Sequence, residues 1–165
     1  MPMLDAYIPE GALAPEAEKE LMAKLTDILL EWEGADPTNA LARAIAWVFL
    51  HRPTEVFVGG ELPEHPRYRI VASVPEGQLD AERRAGMVKA VTDAVLDAES
   101  PDRPRDPMRV WVFTYQVPEG TWGGGGRIVG LADIAGLVLD DVEAGKAHAK
   151  RRLAKVKAER EAIFS

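Results

Sequence analysis

The first residues of the chain alternate between two faces with a period of two, and apolar side chains occupy one of these faces. The residues on that face are Pro2, Leu4, Ala6 and Ile8. This period is typical of a half-buried β-strand. A strand is therefore predicted over residues 2–8, ending at the Pro-Glu-Gly sequence of residues 9–11.

Helical spacing takes over after this turn. Pro15 suits the first turn of a helix, and Gly34 supplies a stop signal. Between them, apolar residues recur every three or four positions at Ala17, Leu21, Leu25, Ile28 and Trp32. A second strand is then predicted over residues 44–51, with a short third one over residues 55–58 before a pair of glycines.

The same order of predicted strands and helix occurs a second time along the chain. An offset of 66 residues aligns residues 8–13 (IPEGAL) with residues 74–79 (VPEGQL), and an offset of 64 aligns residues 47–49 (WVF) with residues 111–113 (WVF). Self-similarity of this kind indicates a repeated supersecondary unit. We therefore expect one β-α-β unit over residues 2–64 and another over residues 65–130.

The second unit repeats the features of the first. The inward face of its first strand carries Tyr68, Ile70, Ala72 and Val74. Asp80 is a plausible N-cap for the helix that follows. That helix is marked by Val88, Val91 and Val95. The matching second strand is predicted over residues 109–116, and a glycine-rich turn over residues 123–126.

The pattern changes after the second unit. Residues 134–164 favour a helix with a narrow apolar stripe and basic side chains on its other faces. The stripe consists of Val142, Ala149, Leu153, Val156 and Ile163. We expect a helical tail over residues 131–165 that packs on the body of the protein or on a neighbouring subunit. A nucleic-acid or membrane surface is the alternative use of the basic faces.

Together these elements predict a single domain, residues 1–165, of the α/β class. The expected arrangement is an α+β two-layer domain in which a four-stranded sheet carries two helices on one face. The order β-α-β-β-α-β also describes ferredoxin-like modules. Strand pairing separates the two folds: parallel partners within each unit indicate the duplicated β-α-β fold, and an interleaved antiparallel order indicates the ferredoxin-like one.

Composition narrows the class of protein. A net charge of −7 and a pI near 5.0 argue against a broad nucleic-acid surface, which usually needs a basic footprint. The absence of cysteine excludes disulfides and thiolate chemistry. No apolar run approaches the ~20 residues of a membrane span, and no signal-peptide pattern opens the chain. We therefore expect a cytoplasmic protein without nucleic-acid or membrane partners.

Pro2 is the candidate for chemistry. Once the initiator methionine is removed, a strand that begins here would hold a secondary amine at a fixed point on a rigid element. An α-amino group titrates at roughly 7.7–8.0, and an apolar pocket or a nearby cation lowers that value. A neutral amine near working pH is close to the optimum for a general base.

The remaining candidates for chemistry are weaker. His51, His65 and His148 form no pair at the spacing of metal ligands. The glycine-rich turn lacks the Lys-Ser/Thr of a phosphate-binding loop. Neither a metal nor a cofactor is therefore expected.

Three features of the chain resemble the tautomerase superfamily. They are residues 1–4 (MPML) opening a strand, the duplicated β-α-β unit, and the Trp-Val-Phe second strand. The more detailed resemblance is to the two-unit group of cis-3-chloroacrylic acid dehalogenase, through residues 56–60 (VFVGG), 111–113 (WVF) and 126–127 (GR). It covers residues 2–128 and leaves out the tail. The resemblance implies removal of Met1, a catalytic role for Pro2 as general base or acid, and a homotrimer.

The chain departs from that group at the residues of the dehalogenation mechanism. The expected histidine, arginine pair, tyrosine and water-activating glutamate fall on Leu29, Pro75 and Gln78, Phe113, and near Gly124. An arginine pair binds a carboxylate bidentately, which Pro75 and Gln78 cannot do, and a glycine cannot activate water. Dehalogenation and hydration are therefore not expected.

Four residues are candidates for binding a substrate beside Pro2. Arg127, the cation that the chain retains, would steady a substrate carboxylate. Trp122 and Tyr115 would wall an apolar pocket, and Gln78 would donate a hydrogen bond to a substrate oxygen. We therefore expect enol–keto tautomerisation of a small 2-oxo acid. The alternative left open by the missing residues is a non-catalytic subunit or interaction protein that keeps the trimeric scaffold.

Overall fold

A computed structural model describes residues 2–163 of the chain. The first unit contains β1 (Met3–Tyr7), α1 (Pro15–Glu33), α2 (Ala40–Ala44) and β2 (Trp47–His51). The second contains β3 (Tyr68–Pro75), α3 (Ala81–Asp97), β4 (Val110–Val117) and the hairpin of β5 (Gly123–Gly124) and β6 (Arg127–Ile128). Two further helices follow, α4 (Leu131–Leu139) and α5 (Val142–Ile163).

The main sheet has four strands in the order β2-β1-β3-β4. Within each unit the two strands are parallel, β1 with β2 and β3 with β4. The two units meet through the antiparallel pair of β1 and β3, in which Leu4 is opposite Ala72. Parallel pairing within each unit confirms the duplicated β-α-β prediction and rejects the ferredoxin-like alternative.

The core lies between one face of this sheet and the helices α1 and α3. The inward residues predicted for β1 and β3 are all buried there: Leu4, Ala6, Ile8, Tyr68, Ile70, Ala72 and Val74. Helix α1 contributes Leu21, Leu25 and Ile28, as its apolar spacing predicts. In α3 the buried face is carried by Met87 and Val91, and Val88 is only partly buried. The two-layer fold class is thus confirmed.

Helix α1 begins and ends, and helix α3 begins, where the sequence signals predict. Pro15 is the first residue of α1, and Gly34 ends the helix in the left-handed region with φ 91°, which a residue without a Cβ adopts at little cost. Asp80 caps α3, because its Oδ1 accepts a hydrogen bond from the backbone N–H of Arg83 at 2.9 Å.

Two strand predictions were wrong in part. Residues 44–46 are not strand, because Asn39 caps the short helix α2 through its side chain, which accepts from the N–H of Ala42 at 2.9 Å. Residues 55–58 form no strand either, and only an isolated bridge joins Val58 to Glu61. The other predicted strands lie within about one residue of their observed ends.

The tail forms two helices rather than one, because Asp140 takes a left-handed conformation with φ 53° between them. The two helices cross closely at Gly136 and Gly145, where a Cβ on Gly145 would lie 2.4 Å from the backbone N of Gly136. Of the predicted stripe, Ala149 and Val156 are buried, whereas Val142 and Ile163 are exposed. Phe164, at the end of that prediction, lies outside the described residues. None of the helices within residues 2–163 combines the length and the hydrophobicity that a membrane span requires.

The second unit contains a buried ion pair between Arg109 and Glu99. Arg109 donates two hydrogen bonds of 2.5 Å to the carboxylate of Glu99, and both side chains are 2% exposed. Tyr68 donates a third bond to Glu99 at 2.7 Å, and Arg103 donates a fourth at 3.1 Å. Burial would raise the pKa of Glu99, but these donors outweigh it and lower the pKa to about 2.

Replacing Glu99 by Gln is expected to lower the free energy of unfolding at pH 7 by about 3 kcal/mol, because Arg109 keeps its charge in a buried site without its partner. The wild type should lose a similar amount as the pH falls from about 4.5 towards 2, since the folded carboxylate must then take up a proton. The variant should lack this loss. Urea unfolding at pH 7, 4 and 2.5 measures both effects.

Glu143→Gln is the matched control, because Glu143 pairs with Lys146 on an exposed helix surface. This change should alter the free energy of unfolding by no more than about 0.5 kcal/mol. Equal stabilities of the two variants at pH 7 would contradict the importance of the buried pair.

Candidate active site

Pro2 is buried and directly precedes β1, one of the two inner strands of the sheet. Its carbonyl oxygen accepts a hydrogen bond from the N–H of Trp47 at 3.3 Å, which ties it to the start of β2. Pro2 and Ile45 line two different cavities. Pro2 therefore lies at the boundary between them. Met1 and its removal lie outside the described residues.

The first cavity, which we call the helix-side cavity, has a volume of about 170 Å³. Its walls come from the end of α1, from α2 and from both tail helices. Ile134, Ala135, Val138 and Leu139 belong to α4, and His148 belongs to α5. The tail is thus part of the wall around Pro2 rather than an appendage. Asn39 fixes α4 to α2, because its Nδ2 donates to the carbonyl of Val138 at 3.2 Å.

Gln78 projects into the helix-side cavity from the turn before α3, and it is 8% exposed. Its Oε1 lies 3.1 Å from Nε2 of His148. Because Oε1 can only accept, His148 must carry its proton on Nε2 in this pair. Arg151 lies on the other side of the ring, with Nη2 3.4 Å from Nδ1. The amide N–H₂ of Gln78 thereby remains the group that can donate to a bound oxygen.

The surroundings of His148 favour its neutral form. Burial lowers its pKa, and the charges of Arg152, Arg151 and Arg83 lower it further. A neutral ring protonated at Nε2 keeps the Gln78 amide in one orientation. His148 is therefore a positioning residue for Gln78.

Glu33 is the buried acidic group of this cavity, which the exposed Asp36 also lines. It is the last residue of α1 and is 4% exposed, and its Oε1 has no hydrogen-bond partner among residues 2–163. Burial raises its pKa to about 7, although the positive charges of the amino terminus and of Arg152 oppose this. The carboxyl group is therefore protonated below neutral pH, which is unusual for a glutamate.

The second cavity, which we call the hairpin-side cavity, has a volume of about 560 Å³. It lies on the helix-free face of the sheet, where Trp47, Phe49 and Ser73 line it. The hairpin of β5 and β6 closes its other side through Trp122 and residues 123–125. This cavity is larger and more aromatic than the helix-side cavity.

The structure brings three of the predicted site residues to the two cavities. Pro2 lines both, Gln78 lines the helix-side cavity and Trp122 lines the hairpin-side cavity. Arg127 and Tyr115 line neither. Arg127 is exposed on β6, opposite Gly124, and Tyr115 is 53% exposed on β4.

The sequence reasoning missed Glu33 and the role of His148. A signal for Glu33 was present, because it lies four residues after Leu29 and three after Leu30, both of which are buried. This spacing places the Glu33 carboxylate on the buried face of α1, where burial of a charge is unfavourable. It also places the carboxylate at the carboxyl end of the helix, where the helix dipole disfavours a negative charge. His148 left no comparable signal, since it meets Gln78 across 70 residues of sequence.

Comparisons of the chain with known proteins by sequence and by structure give different results. No protein-family model and no curated protein sequence matches the chain.

Within residues 2–163, no group of three or more His, Cys, Asp or Glu side chains could hold a metal ion.

Solved structures do match. Pt0534 inactivated by 2-oxo-3-pentynoate and a fused 4-OT asymmetric trimer are each 22% identical, with a TM-score of 0.62, and cover 76% of this chain and 94% of their own. A member of the cis-3-chloroacrylic acid dehalogenase family is 16% identical, with a TM-score of 0.61, and covers 77% of this chain and 82% of its own. The sheet order, the parallel pairs and these similarities together give the chain the fold of the tautomerase superfamily.

Proposed function

We propose that this protein is an enzyme that uses Pro2 as general base and acid for enol–keto tautomerisation of a small 2-oxo acid. The observation that carries the proposal is the position of Pro2, buried where two cavities meet. Once Met1 is removed, its secondary amine would face substrate in a sheltered site. The amine would take the proton from an enol hydroxyl or an α-carbon and return it at the neighbouring carbon.

The two cavities suggest how such a substrate would lie. The helix-side cavity is the smaller of the two, at about 170 Å³, which suits the reactive end of a 2-oxo acid. Gln78 would donate to an oxygen there. The substituent would extend past Pro2 into the hairpin-side cavity, against Trp122. The inactivation of Pt0534 by a 2-oxo acid derivative supports this class of substrate.

Arg127 is the cation that we assign to the substrate carboxylate. It pairs in the hairpin with Gly124, which lines the hairpin-side cavity. Among the described residues it has no hydrogen bond or ion pair that would compete for its guanidinium. We assign Tyr115 to the rim of the same cavity, because it is opposite Ser73 on the neighbouring strand.

We also propose that the protein is a homotrimer. The helix-free face of the sheet exposes aromatic side chains on its two edge strands, which we together call the aromatic patch: Trp47 and Phe49 on β2, and Trp111, Phe113 and Tyr115 on β4. Large apolar side chains exposed at the edges of a sheet mark an interface rather than a solvated face. The fused 4-OT of similar fold is a trimer, and two further copies would cover this patch.

A second candidate function is a non-catalytic subunit with the same scaffold. The observation that favours it is the absence of an arginine at positions 75 and 78, where the resembling group holds its pair. Intact-mass measurement of untagged protein separates the two candidates. Retained Met1 would place the Pro2 nitrogen in an amide and favour the non-catalytic subunit.

Pro2→Ala, prepared with the initiator methionine removed, should lower kcat/KM for ketonisation of phenylenolpyruvate by about 10²-fold or more, because proton transfer by a positioned group contributes roughly 10²–10⁴. The decay of enol absorbance measures the rate directly. Pro37→Ala is the matched control, since Pro37 lies outside both cavities and its replacement should leave the rate unchanged. Equal rates for Pro2→Ala and the wild type would remove Pro2 from the mechanism.

Trp111→Arg should shift the protein from trimer to monomer in light scattering after gel filtration, because it puts a charge among the exposed aromatic side chains of β4. Ile163→Lys, at an exposed apolar position on the tail, should leave the assembly intact. A wild-type monomer at micromolar concentration, or a Trp111→Arg protein that stays trimeric, would contradict the proposed interface.

A further inference from the structure

The helix-side cavity holds a second group that can transfer a proton, and it is not on the sheet. Glu33 lines the cavity from the last turn of α1, together with Gln78 and residues of the tail helices. Its side chain is buried, and Oε1 has no partner within residues 2–163. Pro2 lines the same small volume. A titratable carboxyl group and the proposed amine therefore share one cavity.

A structural role does not account for Glu33. A buried carboxyl group usually stabilises a fold by accepting hydrogen bonds, as Glu99 does from three donors. Glu33 leaves an oxygen unsatisfied and lies at the end of α1 where the helix dipole disfavours a negative charge. An oxygen left open towards a cavity is instead available to a ligand.

We propose that Glu33 is a catalytic acid, which delivers a proton to the substrate carbon while Pro2 accepts the proton of the enol hydroxyl. This inference rests on the proposed function and deepens it. In the proposed function alone, Pro2 carries out both transfers. Here the two transfers are divided between the amine and the carboxyl group.

The step balances without any co-reactant. The Pro2 nitrogen takes the hydroxyl proton, and the electrons of that O–H bond form the carbonyl π bond. The electrons of the C=C bond take the proton from the Glu33 carboxyl group, which becomes a carboxylate. The amine ends protonated and Glu33 ends ionised, and transfer of one proton from the amine to the carboxylate restores both groups for the next substrate.

The surroundings of Glu33 decide its protonation. Arg83 of α3 and Arg152 of α5 both approach the neighbouring Gly34. His148 of α5 is neutral, and Asp36 is engaged with Thr38 through bonds of 2.8 and 2.7 Å. The cavity walls from α2 and α4 contain no titratable side chain. Burial prevails over the positive charges of the amino terminus and of Arg152 and raises the pKa of Glu33 to about 7.

The two proton transfers determine how kcat/KM depends on pH. The acid must be protonated, so kcat/KM should fall as the pH rises through about 7. The amine must be neutral, so the rate should also fall at low pH. Wild-type protein with a native amino terminus should therefore give a bell-shaped profile for phenylenolpyruvate between about pH 5 and 9.

Glu33→Gln should lower kcat/KM by about 10²-fold at pH 6 and abolish the fall on the basic side. Glu31→Gln, the same change at an exposed position of the same helix, should keep the wild-type rate and profile. A Glu33→Gln protein with the wild-type rate and the wild-type basic limb would overturn the inference. If Pro2→Ala is inactive in that case, the proposed function still stands; if Pro2→Ala is fully active, both fail.

Stability gives a readout that does not depend on activity. The folded pKa of Glu33 lies above its unfolded value, so its contribution is complete below pH 4.5 and is lost as the pH rises through about 7. The urea midpoint of the wild type should fall across this window, and that of Glu33→Gln should not. An unchanged pH dependence in the variant would overturn the buried acid.

If Glu33→Gln does not fold, Glu33→Asp carries the test, because it keeps a carboxyl group on a shorter side chain. A basic limb displaced along the pH axis supports Glu33 as its source. A basic limb in the wild-type position shows that another group titrates and overturns the inference.

Discussion

The structure depends on β1 lying inside the sheet rather than at its edge. All five residues of this strand pair with β2 on one side and with β3 on the other. A strand paired on both sides cannot fray as an edge strand does. Its first neighbour, Pro2, is further tied to Trp47 through its carbonyl. The amino end of the chain, which is usually the most mobile part of a protein, is therefore fixed at the boundary of two cavities.

Duplication of the β-α-β unit gives Pro2 a counterpart in Tyr68, and the two copies use this position differently. Tyr68 opens β3 as Pro2 precedes β1, and it lines a cavity of about 610 Å³ together with Phe57, Val58 and Trp111. There the side chain is committed to structure, because the Tyr68 hydroxyl donates to the buried Glu99. A secondary amine is possible only at a chain terminus. The second copy stabilises the fold with an ion pair at the place where the first could perform chemistry.

The sequence predicted the elements whose burial follows a simple period and whose ends carry Pro, Gly or Asp. It failed for residues 44–46 and 55–58, where a side-chain cap and a single bridge decide the structure over a few residues. Of the predicted site residues, Pro2, Gln78 and Trp122 line the two cavities, and they lie on or beside stretches that the repeat and the family resemblance single out. His148 could not be found, since its role depends on the packing of α5 against the turn before α3. That packing is visible only as long-range contacts, such as Lys155 to Asp80 at 2.8 Å.

The tail explains why an acid at position 33 has unusual properties. Without α4 and α5 the helix-side cavity would lack the wall formed by Ile134 and Val138, and water could solvate the Glu33 carboxylate. Docking of these helices removes that solvent and brings only Arg152 as a partial compensation. Burial by an apolar wall is the condition under which a carboxyl group keeps its proton near neutral pH. The same helices also supply His148, which orients Gln78. The extension beyond the second unit thus sets both the protonation and the hydrogen bonding of the cavity that Pro2 lines.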